Sequence, residues 1–310
     1  MKKHIRLSSA ASAKSAALTL LAASASLCVS HAAVVLSYDG NAVSYVSGTD
    51  VTAAITPAVA TTGVSPNETI TRSIAFSDST VWSPSSGYTG PAVYLGFSAA
   101  VTNNGTGTAI TSGQFGIGRN QIRNDSNAIA SFTADSVAIQ GGFTSLYDGD
   151  SLSAQYFTVL KNPSTPFALD GLSARWSAGL SAAATGYTPT ARFAVQVDDQ
   201  YYLSSATNTN GNFSLSGTTL TSATWAAYNP TLNINFDAAA TFGSISLTSI
   251  QAVGLYVEDD SYTMNSATNT NGFNLFVGKL EASAIPEPSA YGVLVGFFVL
   301  GMVAIRRRRL

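Results

Sequence analysis

The strongest constraint on how this chain folds is a period of two. Phe193, Val195 and Val197 alternate with Ala194 and Gln196, and Leu232, Ile234 and Phe236 alternate with Asn233 and Asn235. Ile245 and Leu247 alternate in the same way with Ser244, Ser246 and Thr248. Successive side chains of an extended strand point to opposite faces, so each pattern turns one face to a core and the other to water. No segment of helical length in the middle of the chain carries a comparable 3.6-residue stripe. Further strand candidates lie at 34–38, 70–76, 92–101, from Phe115, and at 138–143, 154–160, 172–177, 253–257 and 273–280. Turn signals such as Asp39-Gly40-Asn41 and Asn103-Asn104-Gly105 separate them. About a dozen short strands predict an all-β domain, a single jelly-roll-like β-sandwich over residues 33–281.

Charge and residue type narrow the chemistry. Residues 33–285 hold 16 Asp and Glu against 7 Lys and Arg. A domain this acidic lacks the basic face that nucleic acid needs, so no nucleic-acid partner is expected. The basic residues of the whole chain gather at its two ends. Lys2, Lys3, Arg6 and Lys14 precede an Ala- and Leu-rich apolar stretch at 16–29, and Ser30-His31-Ala32 offers small residues at the −3 and −1 positions of a cleavage site. Residues 1–32 therefore read as the helix of a secretory signal peptide, with Ala33 as the first mature residue. Its removal takes away Cys28, His4 and His31, the only cysteine and both histidines. A mature domain without them has no disulfide, no Ser-His-Asp triad and no thiolate or imidazole metal site. It is expected to work without a cofactor and not to be an enzyme. Carboxylate, hydroxyl, amide and aromatic groups remain.

The other end is more specific. After a short linker, 282–289, come Pro286-Glu287-Pro288, an uncharged apolar run at 290–305, and then Arg306, Arg307, Arg308 and Arg309 before Leu310. The two prolines keep the motif extended and accessible. As a helix the run would span about 24 Å, a little short of the ~30 Å hydrocarbon core, with the arginines free to snorkel. The positive-inside rule places residues 306–310 in the cytoplasm. This combination resembles the PEP-CTERM sorting signal of Gram-negative bacteria, in which the same three features occur in this order at the extreme C-terminus. The resemblance covers under a tenth of the chain. It implies export through the secretion machinery, a membrane-anchored precursor, recognition by an exosortase, and delivery to the cell surface or an exopolysaccharide matrix.

Several groups in the middle are candidates for a site. Trp82, Tyr88, Trp176, Tyr201, Tyr202, Trp225 and Tyr228 include several flanked by Ser, Thr, Gly or Pro, and aromatic faces stack on sugar rings. Core or rim packing is the competing reading, above all for Trp176 and Trp225. Asp198-Asp199 and Asp259-Asp260 end strands, where loops carry function on a sandwich. Adjacent aspartates of one strand point to opposite faces, so neither doublet is itself a catalytic pair, and a surface turn is the simpler account. Asp148-Gly149-Asp150 resembles part of a calcium loop, as hard cations take clustered oxygens, although the longer ligand pattern is missing. The heptapeptide Ser205-Ala-Thr-Asn-Thr-Asn-Gly211 recurs letter for letter as Ser266-Ala-Thr-Asn-Thr-Asn-Gly272, which would make either two equivalent hairpins or two convergent loops. Two functions remain open at this point. One is a structural or adhesive matrix protein with weak binding to extracellular polysaccharide. The other is a glycan-active enzyme working with Asp and Glu alone, which needs two carboxylates about 5–10 Å apart.

Overall fold

A computed structural model describes residues 33–39, 69–74, 76, 91–103, 116–123, 136–146, 149–161, 165–180, 184–186, 188–209, 211–232, 234–237, 239–264 and 268–285. The signal segment, the motif and apolar run of the tail, Trp82, Tyr88 and Asp148 lie outside them. Among the described residues no helix is long and apolar enough to cross a membrane. Val34–Ala284 forms one compact unit.

The unit is nearly all β. Its strands are β1 (Ala33–Asp39), β2 (Thr69–Ile74), β3 (Ala92–Thr102), β4 (Gly116–Arg123), β5 (Ser136–Leu146), β6 (Ser151–Lys161), β7 (Leu169–Leu180) and β8 (Ala184–Thr185). There follow β9 (Thr190–Val197), β10 (Gln200–Asn208), β11 (Gly211–Ser216), β12 (Trp225–Tyr228), β13 (Ile250–Met264) and β14 (Thr268–Ala284). Two antiparallel sheets result. One runs β11-β7-β14-β5-β4 with β1 also on β14, and the other runs β12-β10-β9-β13-β6-β3-β2 with β8 also on β13. A single core lies between them. Leu172, Ala174, Trp176, Val277, Leu280 and Ala282 of the first sheet share it with Tyr156, Leu160, Phe193, Val195, Val253 and Leu255 of the second. Phe193 stacks on Phe213 across the gap, with ring centroids 4.1 Å apart. Most of the sequence-read strands at 34–38, 92–101, 154–160, 172–177, 193–197, 253–257 and 273–280 fall inside these elements.

Three expectations change. First, Ala282 and Ala284, read as linker, belong to β14 and are buried, because the inward alternation of that strand runs on to Ala284. Second, 232–236 and 245–247 are not strands. Among the described residues between β12 and β13 the chain makes turns, bends and irregular backbone, apart from a bridge between Gly243 and Trp225. Third, the sequence offered no helix here, yet Gly217–Thr221 makes one short turn, α1, which drops Leu220 into the core. Thr219 Oγ1 accepts the Ser216 N–H at its start, a local hydrogen bond of the capping type.

The repeated heptapeptide acquires a position. Neither copy is a hairpin within one sheet. The first runs from the end of β10 to the start of β11, the second runs into β14 from Thr268 on, and each accompanies a passage of the chain from the eight-stranded sheet to the six-stranded one. β10 and β13 flank β9, while β11 and β14 flank β7, so the two crossovers are topologically equivalent. In the first copy Asn208 Oδ1 accepts the indole N–H of Trp176 at 2.9 Å.

A curved aromatic face and its polar corner

The face of the eight-stranded sheet turned away from the core is where its sequence is unusual. Alternation along β6, β9, β10 and β13 sends Phe157, Val159, Ala194, Tyr201, Leu203, Ala252 and Tyr256 to this side, and Tyr94 and Tyr228 join them from β3 and β12. Phe157 on β6 and Tyr228 on β12 are separated by four strand spacings, about 19 Å across a flat sheet. Their ring centroids are nevertheless 5.1 Å apart. The sheet is therefore curled, and these rings line its concave side. Tyr201 meets Phe157 edge-on at 5.3 Å, and Tyr228 meets Tyr256 at 5.5 Å, the T-shaped contacts that ring quadrupoles favour.

This hollow is occupied by the chain itself. Phe76, just beyond β2, and Ile234, from the segment after β12, pack into it and are 2 % and 4 % exposed. Gly96 makes the room, because a Cβ there would lie 2.5 Å from Ile234 Cδ1 and 2.9 Å from Phe76 Cβ. Two tyrosine hydroxyls fasten the covering strap. Tyr228 Oη donates to the Ile234 carbonyl at 2.6 Å, and Tyr256 Oη accepts the Phe236 N–H at 3.0 Å while donating to Glu258 Oε2 at 2.9 Å. The alternation of Ile234 and Phe236 thus serves a strap lying on the face of the eight-stranded sheet, not a ladder of its own.

Burial pushes the Tyr228 and Tyr256 phenols far above their usual range, and the Glu258 carboxylate adds to the shift. An unfolded tyrosine ionises near pH 10, whereas these two keep their protons well beyond it. Their contribution to stability is therefore complete below about pH 10 and is lost as the pH rises past it, at about 1.4 kcal/mol per tyrosine per pH unit. Urea midpoints taken between about pH 9 and pH 11 should fall steeply, and the Tyr228→Phe, Tyr256→Phe double variant should flatten the fall. An equal fall in that variant contradicts the assignment.

At one end the strap leaves a corner partly open. Arg192 lies here on the concave face of β9, opposite Tyr256 of β13, and Glu258 lies opposite Thr190 and Gln155. Arg192 Nε is 3.7 Å from Glu258 Oε1, with the two side chains 18 % and 14 % exposed. One guanidinium nitrogen donates to the Ser204 and Ser205 carbonyls at 3.0 and 3.3 Å. The same guanidinium stands 5.5 Å from the ring centroids of both Phe236 and Phe242, which are half-buried. Aromatic surface, a planar donor, a carboxylate and neutral hydrogen-bonding groups therefore meet in one place.

The sequence-read candidates fall elsewhere. Trp176 and Trp225 are buried in the inter-sheet core, where no sugar ring reaches them. Tyr201 is buried in the concave cluster, while Tyr202 packs on the opposite, core-facing side. Asp198 and Asp199 form the exposed turn between β9 and β10, with φ of 48° and 62°. This left-handed pair matches the twist of a two-residue hairpin. Gln251 holds the turn, its Oε1 accepting the Asp199 N–H at 2.8 Å. Asp150 is fully buried and engaged. Among the described residues no group of three or more His, Cys, Asp or Glu converges on a point where a metal ion would sit. Sequence reading missed Arg192, Phe236 and Phe242. The available signal was an arginine inside an otherwise core-type strand.

No protein-family model and no curated protein matches the chain. Among solved structures it is similar to the family 11 carbohydrate-binding module of the cellulosomal cellulase Lic26A-Cel5E of Clostridium thermocellum, at 10% identity over 51% of this chain and 80% of that one, with a TM-score of 0.25. A family 11 module from the same organism, in complex with a β-1,3-1,4-mixed-linked tetrasaccharide, gives 10% identity over 67% and 96%, with a TM-score of 0.26. An agarase, AgWH50C, gives 11% identity over 47% and 22%, with a TM-score of 0.21. TM-scores in this range establish no shared function, and nothing about this chain's ligand follows from them.

Proposed function

We propose that the chain is an exported cell-surface or matrix protein, sorted through its Pro286-Glu287-Pro288 tail, whose jelly-roll-like sandwich is a structural or adhesive unit that holds extracellular polysaccharide weakly. The observation that carries this reading is the polarity of the sandwich. Ala284, where the chain leaves toward the tail, pairs with Leu169, which is bonded in turn to Leu247 beside the start of β13. Glu258 and the polar corner stand eight residues along β13 from Ile250, about 25 Å away at strand rise. Attachment and contact are thus separated along the sheet. The end of β10 and the end of β13, from which the chain passes to the other sheet, lie on the corner's side of Ile250, since Thr207 pairs with Arg192 and β13 runs on past Glu258 to Met264. The partners this address requires are the secretion machinery, an exosortase, the membrane during transit, and polysaccharide at the destination.

The test is extraction from intact cells. Enzymatic removal of the extracellular polysaccharide should release the protein into the medium with the sugar. A protein that stays in the inner-membrane fraction and is closed to external protease would sink the proposal.

A further inference from the structure

We infer that the corner formed by Phe242, Phe236, Arg192 and Glu258 is a contact site for a neutral, polyhydroxylated glycan and discriminates against acidic polysaccharide. The inference rests on the proposed polysaccharide-holding function and gives it a place and a ligand class. The C–H face of a sugar ring is apolar and weakly positive, and it is attracted to the negative face of an aromatic ring. Phe242 and Phe236 offer such surface, half-open to solvent. Neighbouring hydroxyls each donate and accept, which suits the partly exposed Glu258 carboxylate beside the planar Arg192 guanidinium.

Charge decides the class. Arg192 is already committed, to Glu258 and to two backbone carbonyls. A uronate or sulfate would have to compete with Glu258 for it and would meet the charge of that carboxylate at close range. Asp237 is exposed on the strap next to Phe236, and the domain carries 16 acidic residues against 7 basic, so its field opposes the approach of a polyanion. A neutral chain meets neither obstacle.

The experiment measures equilibrium retention of the full chain, in detergent micelles, on beads of dextran, cellulose and coupled galactomannan, with coupled alginate as the acidic counterpart. Salt at about 0.5 M screens the Arg306 to Arg309 tail. At least one neutral matrix should retain the protein more strongly than alginate does. Phe242→Ala should weaken that retention tenfold or more, and Phe242→Tyr should keep it. Unchanged urea midpoints in both variants show that the fold is intact. Neutral retention unaffected by Phe242→Ala overturns the site while leaving polysaccharide binding in place. Stronger retention on alginate that Phe242→Ala removes overturns the ligand class. No retention on any matrix overturns both the site and the binding function.

Discussion

Trp176→Ala should remove about 3–5 kcal/mol of stability, the range for deleting a fully buried aromatic side chain. Trp176 is 0 % exposed and sits where β7 faces the other sheet. Truncation loses the transfer energy of the ring and leaves a cavity between two sheets whose ladders hold them apart. It also strands Asn208, whose Oδ1 accepts the indole N–H and whose Nδ2 donates to the Asn212 carbonyl, so the first repeated crossover loses an anchor. Domains are typically stable by only 5–15 kcal/mol, so a loss of this size takes a large share of the total. Asn208→Ala isolates the second part. It leaves a buried N–H without its acceptor and should cost about 1–3 kcal/mol. Urea midpoints measure both. A Trp176→Ala midpoint within error of wild type would show that the ring is not a core residue.

Gly254→Ala should be the most damaging addition of a single methyl group among the glycines of the eight-stranded sheet. Gly254 lies in the middle of β13, between Val159 of β6 and Ala194 of β9. A Cβ there would stand 2.5 Å from the Thr158 carbonyl oxygen and 2.9 Å from Val159 Cγ2. Backbone oxygen cannot swing aside, so two strands must move, and overpacking of this kind costs about 1–3 kcal/mol and sometimes more. Gly96→Ala presses on the tip of Ile234 and on Phe76 Cβ at 2.9 Å, two residues that lie on the sheet outside its named strands, so its cost should be smaller than at Gly254 and should appear as a loosened strap. Gly243→Ala meets nothing within 4 Å and should lie within about 0.5 kcal/mol of wild type. The order Gly254, Gly96, Gly243 in falling cost is the result to look for. Equal effects at Gly254 and Gly243 would mean that β13 does not pass so closely over β6.

Sequence carried much of the sandwich and little of the corner, for physical reasons that particular residues show. Phe193, Val195 and Val197 alternate and do line the core, because β9 has hydrogen-bonded neighbours on both sides. Ile234 and Phe236 alternate just as cleanly, yet their backbone forms no ladder. Period two records only that alternate side chains are buried, and a strap lying across the face of the sheet satisfies it equally well. Trp176 looked exposed because its neighbours are Arg175 and Ser177. Those residues belong to the opposite face of the same strand, and the inward set is Leu172, Ala174 and Trp176. Arg192 and Glu258 are far apart in the chain and meet only through the β9–β13 register. No local pattern contains that pairing. The identical heptapeptides were visible at once, but the equivalence of the β10–β11 and β13–β14 connections beside them depends on β7 and β9 lying between the strands they join.

The most direct test of the central claim is the intact mass of the protein recovered from cells with and without an active exosortase. The expected result is a chain beginning at Ala33 in both cases, with the residues beyond the Pro286-Glu287-Pro288 motif missing only when the enzyme is active. A chain that keeps its apolar run and its four terminal arginines in both would contradict it, making residues 290–305 a plain membrane anchor and the sandwich a tethered domain that never reaches the matrix.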